Sequence, residues 1–94
     1  MVRHIVCWKL KEGQNTEENM LRMKKELCSL KGKIEGLLDI DVGICYQGDF
    51  DCALHSVFES REALLYYRDH PEHKKVQAFI HTILESRSAA DWEF

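Results

Sequence analysis

Two imidazoles and a phenol fall within one short run, Tyr67-Arg68-Asp69-His70-Pro71-Glu72-His73, and a further imidazole, His4, stands in an otherwise apolar first segment. Imidazole, with an ordinary pKa of about 6.5, can take a proton at physiological pH, and a phenol can hydrogen-bond the oxyanion that results. Proline suits the first position of a helix and crowds the residue before it out of helical geometry, so a helix is expected to begin at Pro71. His73 then sits in its first turn, where free amide donors and the helix dipole disfavour a positive charge and keep the ring neutral, as a base must be. The competing expectation is that an imidazole at a helix start caps amides or joins a buried network with Tyr67. Metal binding is not expected: His70 and His73 are only two ligands, and a helix amino terminus repels cations.

These side chains need elements to hold them. Val2 to Leu10 alternates with a period of two, placing His4, Val6, Trp8 and Leu10 on one side and Arg3, Ile5, Cys7 and Lys9 on the other, the pattern of a strand. After a turn at Gly13, Asn15 or Thr16 can cap a helix with Glu17 and Glu18 near its positive end. Its apolar stripe is read as Met20, Met23, Leu27, Leu30 and Ile34, with Gly32 and Gly36 at a frayed end.

Leu38, Ile40, Val42, Ile44 and Tyr46 alternate with mostly polar residues as a second strand, and a short link makes Asp51 to Phe58 its antiparallel neighbour. Ser60 caps a helix from Arg61 to about Arg68, the Pro71 helix follows with Val76, Phe79, Ile80, Ile83 and Leu84, and the tail from Ser88 to Phe94 holds the last strand. The order gives an α+β fold: a ferredoxin-like four-stranded antiparallel sheet with helices on one face. Apolar residues on both sides of the strands, Ile5 beside Val6 and Val57 beside Phe58, leave the second face too apolar for water, so a two-fold dimer packed sheet on sheet is expected.

At 94 residues the chain reads as a single domain, 1–94, and a chain of this size buries only ~60 to 65% of its unfolded surface, which also favours self-association. A formal charge of −3 without a Lys/Arg block argues against nucleic acid, and no apolar run reaches the roughly 20 residues of a membrane span. A cytoplasmic protein is expected. Cys7, Cys28, Cys45 and Cys52 lack metal or redox spacing and are expected as reduced thiols. Trp8, Trp92, Phe58 and Phe79 fall at core periods, with a pocket for an aromatic or acyl ligand as the second reading.

The opening Met1-Val2-Arg3-His4-Ile5-Val6, the strand end Val57-Phe58-Glu59-Ser60, the run from Tyr67 to His73 and the closing Asp91-Trp92-Glu93 together resemble the stress-responsive dimeric A/B barrel (Dabb) family. The resemblance implies a homodimeric α/β barrel, usually without a cofactor and in many members without an assigned activity. It also extends to plant polyketide cyclases, in which a histidine and a tyrosine of this motif promote an intramolecular aldol condensation inside the barrel. It thus implies His73 as base, Tyr67 as its partner, and His4 and His70 as further residues lining the same cavity. Cys52 stands where those cyclases carry another histidine, a departure that bears on the substrate and leaves the fold untouched. Two functions are therefore carried forward: a homodimer binding a hydrophobic or aromatic small molecule, and a cofactor-free lyase using the His/Tyr pair.

Overall fold

A computed structural model describes residues 1–94 as β1 (Val2–Leu10), α1 (Glu17–Cys28), β2 (Leu37–Ile44), β3 (Cys52–Phe58), α2 (Arg61–Asp69), α3 (Pro71–Ile83) and β4 (Leu84–Glu93). The strands form one antiparallel sheet in the order β2-β3-β1-β4, the ferredoxin-like arrangement expected. His4, Val6, Trp8 and Leu10 all lie on the helix-covered face, together with Cys52, Leu54, Ser56 and Phe58 of β3. No helix is long and apolar enough to cross a membrane.

Local chemistry sets the boundaries. Thr16 caps α1, its hydroxyl accepting from the Asn19 amide at 3.2 Å, and Ser60 caps α2 by accepting from Ala63 at 3.1 Å. The regular turns of α1 stop at Cys28, short of the expected end, yet Leu30 and Ile34 stay buried because tight turns, not helix, carry the chain on to Gly36. Gly36 has φ +89°, and a Cβ there would stand 2.6 Å from that of Ala63, so this close approach of the chain to α2 requires glycine.

Two strands depart from the expected pattern. Leu38 is an extra residue between Leu37, opposite Phe58, and Asp39, opposite Val57. That bulge shifts the alternation, so Leu37 joins Ile40 and Val42 in the core while Leu38 is exposed; Ile44, at the strand's end, and Tyr46, beyond it at 98% exposed, also lie outside the core. β4 starts at Leu84, directly at the end of α3, not at Ser88. Its first residues were obscured because Glu85, Ser86, Arg87 and Ser88 put polar groups on both faces; the last apolar ones, Trp92 and Phe94, are half exposed.

Candidate active site

β1 and β4 pair so that His4 stands opposite Asp91, Val6 opposite Ala89 and Trp8 opposite Arg87. Helices α2 and α3 pass over this strip without filling it, leaving a cavity of about 300 Å³ lined by His4, Val6, Trp8, Leu27, Leu54, Tyr67, Arg68, His73, Gln77, Ile80, His81, Arg87 and Ala89. Four of the six candidate residues, His4, Trp8, Tyr67 and His73, converge there. His70 and Cys52 do not line it.

His70 turns away because it ends α2 and starts α3. It has extended backbone angles, and its Nδ1 accepts the Glu72 amide at 3.1 Å, so the capping role open to either histidine falls on this one. Cys52 is fully buried, its Sγ 3.9 Å from the Met23 sulfur, and burial pushes its thiol up to about 12.

His73, in the first turn of α3, is 8% exposed, and its Nδ1–H donates to the Arg68 carbonyl at 3.3 Å. A carbonyl only accepts, so the proton is held on Nδ1 and Nε2 keeps the lone pair. Burial lowers the pKa of His73 from its ordinary value; the hydrogen bond to the Arg68 carbonyl opposes this, and the nearby charges of His4, Arg87 and Arg68 reinforce it. The ring lies against that of Tyr67, centroids 4.0 Å apart at 31°, and Tyr67 in turn meets Phe58 edge-on at 5.0 Å. Tyr67 is 2% exposed and burial raises its pKa, so its hydroxyl stays a proton donor. That hydroxyl makes no hydrogen bond within the protein, yet it is not a sealed polar atom: it looks into the cavity.

His4 is held from behind. Its Nδ1–H donates to Asp91 Oδ1, and Arg68 Nη2 donates to Asp91 Oδ2 at 3.3 Å. Arg68 thus serves both imidazoles, His73 through its carbonyl and His4 through the shared carboxylate. Asp91 and Arg68 were not among the sequence candidates. Asp91 meets His4 only through the register of β4 against β1, and Arg68, on α2, joins them through Asp91, so neither link is local in the sequence. Gln77 was likewise missed, and His81, whose spacing of eight from His73 puts both on one side of α3, reads in the sequence as structural, yet both line the cavity.

A four-stranded antiparallel sheet, helices on one face and a hollow between sheet and helices define a ferredoxin-like α+β barrel protein. The chain belongs to the stress responsive A/B barrel domain (Dabb) family, whose model matches residues 2–94. Among solved structures it is similar to a dimeric ferredoxin-like protein of unknown function from Bacteroides fragilis, with 30% identity, 99% of this chain and 95% of that chain covered, and a TM-score of 0.91. A dimeric ferredoxin-like protein of unknown function from Thermobifida fusca shares 23% identity over 99% of this chain and 90% of its own, with a TM-score of 0.87. An antibiotic biosynthesis monooxygenase matches in fold at 13% identity, covering 100% and 98% of the two chains with a TM-score of 0.83. No protein in the curated set matches the chain.

Proposed function

We propose that this protein is a cytoplasmic homodimer that takes up an oxygenated, partly apolar small molecule in its barrel cavity and acts on it without a cofactor, as a polyketide-cyclase-like lyase. His73 Nε2 removes a proton from a carbon flanked by carbonyls, and the Tyr67 hydroxyl hydrogen-bonds the enolate oxygen. The carbanion adds to a second carbonyl of the same molecule. The protonated His73 returns the proton to the new alkoxide, giving the aldol; neutral again, it takes the second proton of the same carbon and passes it to the departing hydroxyl, which leaves as water.

The observation that carries this function is the pairing of His73 and Tyr67 on one cavity wall, with Nδ1 committed to a backbone carbonyl and the phenol free of protein partners. The Val6, Trp8, Leu54 and Ile80 side chains supply apolar lining for a ring or acyl chain, and a cavity of about 300 Å³ admits a molecule at the lower end of small-ligand size. Four unpaired thiols suit a reducing compartment. Dimerisation through the open sheet face is supported by the half-buried Ile5, Cys7, Ala53 and Val57 and by relatives described as dimeric.

Binding without turnover is the second reading, favoured by the same apolar lining. Incubation with a linear β-polyketone thioester, followed by mass spectrometry for the cyclised phenolic product, separates the two. Product formed by the wild type and lost in His73→Ala with the melting temperature retained supports the lyase. Saturable binding with no conversion leaves a ligand-binding barrel.

A further inference from the structure

The cavity is chemically divided along its length. At about 3.3 Å per strand residue, the inner face of β1 runs roughly 13 Å from His4 to Trp8. α3, at about 1.5 Å per residue, runs a similar ~12 Å from His73 to His81. One end holds His4, Tyr67 and His73; the other holds Arg87, opposite Trp8 on β4, with Gln77 and His81 from α3.

Arg87 is unlike the other arginines on the inner side of the molecule. Arg61 pairs with Glu93 and Arg68 with Asp91, whereas no carboxylate or hydrogen-bond acceptor engages the Arg87 guanidinium. No Asp or Glu lines the cavity, so the charge facing it is uncompensated. Arg87 is also close enough to His73 for its charge to help hold that imidazole neutral.

We infer that the Arg87 end of the cavity is a carboxylate subsite, in which the guanidinium grips the anion and Gln77 and His81 add hydrogen bonds, so that the ligand is an acid whose other end lies at His73. This deepens the proposed function and rests on the cavity being a ligand site. A guanidinium presents two parallel N–H groups at the spacing of a carboxylate, which suits it to grip that anion in two-point geometry. A carboxylate bound there also offsets the Arg87 charge felt by His73, so an acidic ligand makes the base more basic than it is in the empty barrel.

The test is an amide-shift titration by NMR with salicylate and its neutral isostere salicylamide, on the full chain and on Arg87→Met. Arg87 is exposed and unpaired, so the variant keeps its fold, and an unchanged melting temperature checks this. The expected result is that salicylate binds the wild type at least about tenfold more tightly than salicylamide and that Arg87→Met removes the difference, with shifts at Gln77 and His81. Arg87→Lys should restore only part of it, since an ammonium lacks the paired donors. Equal binding of both probes, indifferent to Arg87→Met, overturns the subsite while leaving the cavity as a binding site. No shift of any cavity residue with either probe overturns both.

Discussion

Alternate residues of the same strands build two faces that have little in common. Along β1, His4, Val6, Trp8 and Leu10 lie beneath the helices and are 3–6% exposed, whereas Arg3, Ile5, Cys7 and Lys9 look the other way and are half-buried or exposed. The two buried polar side chains of the covered face each have a partner: His4 has Asp91, and Ser56 Oγ donates to the His4 carbonyl at 3.2 Å. On the open face Arg3 reaches His55 Nε2 at 3.0 Å and lies 4.1 Å above the Phe94 ring, a polar frame around Ile5, Cys7, Ala53 and Val57. The covered face is itself uneven. Over β2 and β3 it is packed with Val42, Phe58 and the α1 residue Met23, all fully buried, while over β1 and β4, beneath α3, it is hollow. Tight packing thus resides in one half of that face, the proposed ligand chemistry in the other, and the proposed dimer contact on the reverse.

The largest effect that would break this division is in the packed half. Phe58 meets Tyr67 and His4 and is fully buried, so Phe58→Ala should cost ~3–5 kcal/mol in urea unfolding. Its neighbour Val57 points to the open face, and Val57→Ala should cost less than about 1 kcal/mol at a protein concentration where assembly is not limiting. Similar losses at the two positions would mean that the faces do not divide stability in this way.

Assembly is addressed by Val57→Arg, which places a charge among Arg3, Ile5 and the β2 residue Asp39. The wild type should sediment as a dimer at micromolar concentration and the variant as a folded monomer with unchanged far-UV circular dichroism. A wild type that sediments as a monomer overturns the dimer, and a variant that stays dimeric moves the interface off this part of the sheet.

In the hollow half, His73 links pH to stability with a definite sign. Its folded pKa lies below the unfolded value of about 6.5, so the folded state resists protonation there. The stability this preserves is fully present above about pH 6.5 and is lost as pH falls through the lower folded pKa. His73→Phe keeps a ring against Tyr67 but cannot titrate. The melting temperature of the wild type relative to His73→Phe should therefore decline between about pH 7 and pH 5; a difference that grows on acidification would mean that the imidazole is stabilised as a cation.

Much of this was legible in sequence because the informative residues sit where period and burial agree. The alternation of β1 placed His4 and Trp8 on the covered face, and Pro71 fixed the start of α3 and with it His73. What escaped was non-local or locally ambiguous. The Leu38 bulge depends on pairing with β3, which no single strand encodes. The Asp91 partner of His4 depends on the β4 register, and the polar first half of β4 carries no alternation to announce it. Arg87 carries no signal of its own in the sequence, because only the hollow beneath α3 makes its position matter.

The smallest effect separates two histidines of one motif. His70 and His73 flank the same turn, yet one spends its Nδ1 lone pair on the Glu72 amide while the other donates through Nδ1 and keeps Nε2 for the cavity. Asparagine is among the best helix caps, so His70→Asn should retain stability within a few tenths of a kcal/mol, whereas His70→Ala should lose about 1 kcal/mol. Neither should alter ligand affinity, because the imidazole of His70 does not line the cavity. At position 73 the same asparagine substitution should do the reverse to function, removing turnover, since an amide cannot serve as a base near neutral pH. If His70→Asn weakened ligand binding while stability held, His70 would have to swing into the cavity when ligand enters, and the cap would be only its resting position.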